Sequence, residues 1–345
     1  LLALLLQFSE KFNIPYATSG CAKGIFDEFH PLCLGAYNGV FTQTSGRDYI
    51  ESKVDYIIDV ASSILPQDSN IAFATGTHKI ETFDNKTLLK GGTLLEQDLI
   101  EIFQLLLQQN TNEFEFIAPR TNNKMLNLDD EVDFNNLADT LNQLQSEVDT
   151  HLLYLPEVGN SYFSSYSLQV KQSSLGRGWL TNPWYGAMGT ALPYARVVAQ
   201  RIQDNGQDER AVVIIGDGGF NFQSNELINF LKDQTDVIII YMRNNVFHLG
   251  KSGDSAIYHC NDAAFNVHCL VNAYHGESYQ CSHVGKFKQA FQQSTRKKGI
   301  QLIEVIAEPI EEKQCNELKL LNLYIKSTNG NKAAQQQWKK LTSSE

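Results

Sequence analysis

At 345 residues, 42% hydrophobic and 19% charged, the chain has the composition of a globular protein with enough apolar content for two cores, on a prior of about 150 residues per domain. Its formal charge of −11 argues against nucleic acid and anionic membranes as partners, because phosphate surfaces call for a basic excess. The six cysteines, at 21, 33, 260, 269, 281 and 315, lack C-x-x-C spacing and read as free thiols in a reducing cytoplasm. No apolar stretch approaches the ~20 residues needed to span a bilayer.

The opening run Leu1 to Leu6 lacks the basic start of a signal peptide. It reads as the inner side of an amphipathic helix entered partway, and without an initiator Met the chain is expected to begin mid-domain. Ile14 to Thr18 follows as a short strand leading into the glycine-rich loop Ser19 to Gly24. Arg47 to Lys53 is predicted as a short helix and Val54 to Val60 as a buried strand. Ile71 to Phe73 and Lys79 to Thr82 are weaker strands, and Leu94 to Leu107 is an amphipathic helix. The alternation implies a parallel α/β sheet in a first domain over residues 1–120. From about Gln108 to Asp133 the sequence turns polar, and a linker is placed at 121–145, although Leu137 to Val148 restarts a helix. A second domain over 146–310 begins with the strand His151 to Pro156 and ends with Gln301 to Ile306. The tail, 311–345, is rich in Lys and Gln. Leu318 to Tyr324 can pack a helix there, whereas Asn329 onward is expected to be solvated.

Within the second domain two continuous β-branched runs, Ala211 to Ile215 and Val237 to Met242, suit parallel strands covered on both faces. Asn225 to Leu231 places Leu227, Phe230 and Leu231 on one helical stripe, with Ser224 or Asn225 as N-cap. The unit is β-α-β, and a right-handed crossover brings both strand ends to one sheet edge. The first strand runs out into Gly216-Asp217-Gly218-Gly219 and the second into Asn244-Asn245. A carboxylate, an amide oxygen and glycines that admit close backbone approach are what a magnesium-diphosphate pair requires.

The pattern resembles the GDG…NN signature of thiamine-diphosphate (ThDP) enzymes, and further strings are similar to the pyruvate and indolepyruvate decarboxylase branch. Ile14-Pro15, Lys23-Gly24, Asp27-Glu28, His30-Pro31, Gly35, Tyr37 and Gly39 look like the start of that branch's middle domain. Glu157-Val158-Gly159-Asn160-Ser161 stands where the branch has ETGTS, and Trp184-Tyr185-Gly186-Ala187-Met188-Gly189 where it has LWGSIG. The resemblance implies two consecutive doubly wound parallel-sheet α/β domains, the middle domain and the diphosphate-binding domain. It also implies ThDP and Mg2+ as cofactors and non-oxidative decarboxylation of a 2-keto acid such as pyruvate, phenylpyruvate or indolepyruvate. An acetolactate-synthase-like carboligase and a non-catalytic binding or assembly protein are the alternatives.

Carried over residue by residue, the resemblance makes Met188 the bulky side chain that props the coenzyme into its V shape, and Gly186 the carbonyl facing its amino group, with Ala187 between them. Gly159, Asn160 and Ser161 would touch the diphosphate or pyrimidine edge. Gly216, Asp217, Gly218 and Gly219 would cradle the diphosphate, Gly219 replacing a Ser of many relatives. Asp217 would ligate Mg2+. Counting from Asp217 without a gap puts the other ligands at Asn244 and the Val246 carbonyl; pairing NN literally gives Asn245 and Phe247. Both assignments stay open, the gapless one preferred.

Departures are equally informative. Gly250 or Lys251 stands where the decarboxylase branch has a catalytic Glu, and His248 is the nearby proton carrier. The pyrimidine-binding domain of the family, with its Glu and tandem His pair, is not found in this chain and is expected as a partner, within a homodimer or homotetramer. Histidines and cysteines crowd between His259 and His283, but their spacing gives no clean zinc set.

Overall fold

The computed structural model describes residues 1–42, 45–60, 78–82, 87–90, 93–96, 98–110, 114–116, 126–182, 185–245, 265–307 and 315–342. Residues 1–22, 28–122 and 339–345 form one compact unit, and residues 23–27 and 123–338 form another.

In the first unit the chain order is α1 (Leu2–Phe12), β1 (Tyr16–Thr18), β2 (Cys33–Ala36), α2 (Ser45–Ser52), β3 (Tyr56–Asp59), β4 (His78–Thr82), β5 (Thr87–Lys90), β6 (Thr93–Glu96) and α3 (Leu99–Leu107). Phe8 of α1 meets Phe103 of α3 edge to face at 5.3 Å, an arrangement that aromatic quadrupoles favour. β1 and β2 pair in parallel, as do β3 and β4, while β4, β5 and β6 continue antiparallel.

Two expectations change here. Leu94 to Glu96 belongs to a strand, and the helix starts only at Leu99, where the Asp98 side chain accepts the N–H of Ile100 at 2.8 Å, a cap that sets the start. The predicted buried strand leaves Tyr56 66% and Ile58 41% exposed: the two share one face of β3, which is not covered among the described residues. The strand expected at Ile71 to Phe73 lies outside the described residues.

The second unit contains α4 (Leu137–Leu144), β7 (His151–Pro156), α5 (Asn160–Ser164), α6 (Ala191–Asp204), β8 (Glu209–Gly216), α7 (Asp217–Gln223), α8 (Leu227–Asp233), β9 (Val237–Arg243), α9 (Val267–Ala273), β10 (Glu277–Cys281), α10 (Val284–Arg296), β11 (Ile300–Ile306), α11 (Asn316–Thr328) and, as far as Trp338, α12 (Lys332–Thr342). Its five strands are all parallel in the order β10-β11-β9-β8-β7. Strand alternation sorts the side chains into two layers. Leu153, Leu155, Val213, Ile215, Ile239 and Leu302 pack against α6, α8 and α9. Leu152, Val212, Ile214, Ile238 and Ile240 are equally buried and face the opposite layer, where α10 covers β10 and β11. Both faces are covered, which is why these strands read as unbroken apolar runs rather than alternating ones. In this unit the parallel α/β class inferred from the sequence is the class observed; the first unit, expected to be parallel as well, has a mixed four-stranded sheet because β4 to β6 are joined as antiparallel neighbours.

The helix predicted near Asn225 is α8, which begins at Leu227 after a 3-10 turn over Ser224–Glu226, and a separate short helix, α7, precedes it from Asp217. The tail beyond Asn329, expected to be solvated, is mostly exposed as expected and is ordered as α12, with Ala334 buried and Trp338 against Tyr324 at 5.1 Å. Its Ala, Gln and Lys are strong helix formers, so polarity there marks an exposed helix face rather than fraying. Among the described residues no helix is long and apolar enough to cross a membrane.

Candidate cofactor site

The C-terminal ends of β7, β8 and β9 lie side by side. Pro156 is paired with Ile214 and Gly216 with Met242, and the Glu157 N–H donates to the Ile214 carbonyl at 2.8 Å. Segments 157–161, 216–219 and 244–245 therefore leave one sheet edge together. Asp217 is 2% exposed and organises this edge. Its Oδ2 accepts the backbone N–H groups of Asn244 at 2.9 Å and Asn245 at 3.0 Å. Its Oδ1 accepts the Tyr241 hydroxyl at 3.0 Å. Tyr241 is held from the other side by Phe220, ring centroids 4.8 Å apart.

A second carboxylate fastens the neighbouring loop. Glu157 is 1% exposed; its Oε1 accepts the Val158 N–H at 2.9 Å and its Oε2 the Ala191 N–H at 3.0 Å. Ala191 opens α6, so Glu157 caps that helix from β7, an anion at a positive helix end. Burial pushes its carboxyl above the usual range, opposed by backbone N–H groups of Ala191, Val158, Gly189 and Thr190.

Glu157 also accounts for Gly219. A Cβ on Gly219 would lie 2.5 Å from Glu157 Cγ and 3.1 Å from Ile215 Cγ1, so the serine of many relatives does not fit beside this glutamate as it stands. We predict that Gly219→Ser costs about 1–3 kcal/mol, the usual scale of overpacking, read as a shift in the urea midpoint. An unchanged midpoint would show that Glu157 moves aside freely.

Gly159 and Gly186 serve by conformation rather than clearance. Their φ angles are 95° and 64°, and nothing lies within 4 Å of a Cβ built on either. Such backbone favours glycine. Met188 is 48% exposed, displayed from a loop held at Gly189, where a Cβ would meet Gln223 Cγ at 2.7 Å; Ala187 accepts the Thr190 hydroxyl at 3.5 Å. Asn160 is turned toward α11, its Oδ1 accepting the Cys315 N–H at 3.3 Å and lying 3.5 Å from Cys315 Sγ. Ser161 is buried beside it in α5. Gly218 lies in the first turn of α7. Val246, Phe247 and His248 lie outside the described residues, as do Gly250 and Trp184.

Tyr241, Glu157 and Arg243 received no role from sequence. Each carried a signal: a hydroxyl inside an otherwise apolar strand, a carboxylate straight after the last residue of β7, and a cation closing a buried run. Among the described residues no group of three or more His, Cys, Asp or Glu side chains could hold a metal. His268 instead engages Glu304 at 2.8 Å and Ser278 at 2.8 Å.

A doubly wound domain with carboxylate, amides and glycine-bearing turns at the carboxyl edge of its strands belongs to the class that binds phosphorylated cofactors there. The hard oxygen of buried Asp217 and the open positive-φ glycines fit a diphosphate with its divalent cation. Residues 157–305 match the family model "Thiamine pyrophosphate enzyme, C-terminal TPP binding domain". Pyruvate decarboxylase 1 of Oryza sativa subsp. japonica is 22% identical over 290 residues, covering 79% of this chain and 45% of the relative. Pyruvate decarboxylase 1 of Zea mays is 23% identical over 290 residues, covering 77% and 43%. The chain thus spans less than half the length of these curated relatives. Among solved structures, a protein from Mycobacterium smegmatis assigned as thiamin diphosphate-dependent superposes with a TM-score of 0.67 at 13% identity, over 89% of this chain and 59% of that one. Benzoylformate decarboxylase from Polynucleobacter necessarius gives 0.64 at 16% identity, over 89% and 59%. Residues 157–305 thus match a C-terminal TPP-binding domain, and over most of its length the chain is similar to pyruvate decarboxylases.

Proposed function

We propose that the protein is a ThDP- and Mg2+-dependent, non-oxidative decarboxylase of 2-keto acids, acting in the cytoplasm as a homodimer or homotetramer with a pyrimidine-binding domain. One observation carries the cofactor half of the reading. Asp217, at the end of β8, is buried and fastened to the first two residues after β9, inside the segment that matches the TPP-binding family. When bound, ThDP would supply the nucleophilic carbon and the cationic ring that decarboxylation of a 2-keto acid needs as its electron sink. Asp217 and Asn244 would hold the magnesium, with a backbone carbonyl beyond them. Gly159 and Gly186 would let backbone approach the coenzyme, and Met188 would wedge its two rings. Glu157 holds the Met188 loop against the sheet by capping α6.

Isothermal titration with ThDP in the presence and absence of Mg2+ tests the first half. Binding that requires the metal and is reversed by a chelator is the expected result; no metal-dependent binding sinks the cofactor assignment. The second half is read as CO2 release from pyruvate, phenylpyruvate and indolepyruvate with a pyrimidine-binding domain supplied. Cofactor binding without release from any of them would leave a binding protein or a carboligase in place of a decarboxylase.

A further inference from the structure

We propose that Arg243 is a positioning residue of the metal loop, its guanidinium tying the Asn245 side chain to the buried Glu304 so that Asn244, not Asn245, is presented to the cation. This rests on the ThDP–Mg2+ reading above. Arg243 is the last residue of β9, and its Nε donates to Asn245 Oδ1 at 2.9 Å while one terminal nitrogen donates to Glu304 Oε1 at 3.0 Å. Glu304 is fully buried in β11. Its Oε2 accepts Gln280 Nε2 at 2.7 Å and meets His268 Nε2 at 2.8 Å, so the anchor is fixed from three elements. Burial alone would raise the Glu304 carboxyl, but the hydrogen bonds from Gln280, Arg243 and His268 hold it below the usual range.

The loop is therefore gripped twice. Asp217 takes the backbone N–H groups of Asn244 and Asn245, and Arg243 takes the Asn245 amide oxygen. Asn245 adopts φ 55°, a left-handed conformation that Asn tolerates better than other side-chain-bearing residues. An amide oxygen engaged by a guanidinium sits beside a positive charge and is a poor ligand for a divalent cation. The planar fork is needed to serve two acceptors at fixed angles, and lysine has no equivalent.

The test combines amide hydrogen exchange with Mn2+ binding in the presence of ThDP, followed by electron paramagnetic resonance. In Arg243→Met and in Asn245→Gly, exchange at the Asn244 and Asn245 amides is expected to rise about tenfold or more while that of Ile239 and Ile240 stays put. Mn2+ affinity should fall about 10- to 100-fold, the usual effect of losing a group that orients a metal ligand. Asn245→Asp keeps the acceptor and should retain protection, Arg243→Lys should not, and the double variant should lose no more than either single. Additive losses, or unchanged exchange at the two amides, overturn the proposal. Should Arg243→Met fail to fold with Glu304 unpaired, Asn245→Gly decides alone. Absence of Mn2+–ThDP binding by the unmodified protein would overturn the functional reading, while the exchange results still judge the clamp.

Discussion

Asp217→Asn is expected to abolish metal-dependent ThDP binding and leave the fold nearly intact, whereas Asp217→Ala should damage both. The asparagine is almost the same shape, and its oxygen can go on accepting the Asn244 and Asn245 N–H groups while its NH2 turns to the Tyr241 oxygen, which can accept as well as donate. What it lacks is the negative charge on which a hard dication depends. Alanine instead leaves two half-buried backbone donors and one buried hydroxyl without this acceptor. At about 1–3 kcal/mol for each stranded donor, the three together cost on the order of 3–9 kcal/mol, comparable with the whole stability of a small domain. Calorimetric titration and urea unfolding of both variants separate the two effects. An Asp217→Asn protein that binds the Mg2+–ThDP pair normally would remove Asp217 from the metal site.

The second large effect concerns pH. Glu317, near the start of α11, is 4% exposed, and burial, aided by the nearby Asp139 carboxylate and opposed by Lys319, pushes its carboxyl to about 7. In the unfolded chain it titrates near ~4.3. Between those values the folded protein keeps a proton that the unfolded chain releases. Stability is thus fully present below the lower value, declines as pH rises through about 7, and is level above it. With about 1.4 kcal/mol per unit of displacement, the decline amounts to roughly 3–4 kcal/mol. Glu317→Gln carries no such proton, so it should be more stable than the unmodified protein by up to that amount at pH 8 and gain nothing at pH 4. Urea midpoints at the two pH values measure this, and equal differences at both would show that Glu317 is not the titrating group.

The sheet of the second unit was legible because its strands are covered on both faces, and burial on two sides writes itself as uninterrupted Val and Ile. Gly216-Asp217 and Asn244-Asn245 were legible for a related reason: polar and glycine residues stand abruptly at the ends of such runs. Where neighbours decide, single-chain patterns misled. Leu94 and Leu95 satisfy a helical stripe, yet they pair with Leu89 and Leu88 across β5. The Gly91-Gly92 pair between the partners Lys90 and Thr93 was the available hairpin signal. α7 begins on Asp217 despite two glycines in its first turn, because the acid is held by hydrogen bonds from β9 and its neighbouring loop, not by propensity. No periodicity could announce the grip of Glu157 on α6, which joins residues 34 positions apart. The same holds for Arg243 and Glu304, 61 apart.

The short segment Lys23–Asp27 belongs to the second unit although the chain on either side of it belongs to the first. Inside that unit the Gly24 carbonyl accepts the Gly178 N–H at 2.8 Å, Lys23 Nζ donates to the Leu168 carbonyl at 2.7 Å, and Gly24 comes so close to Trp179 that a Cβ would lie 2.6 Å from its backbone nitrogen. The boundary after Asn122 is consequently not a place to divide the molecule. A fragment starting there would lack a buried lysine and the backbone beside its largest buried indole. A single cut at that point in the intact chain would leave Lys23 and Gly24 on one piece and their partners Leu168, Gly178 and Trp179 on the other.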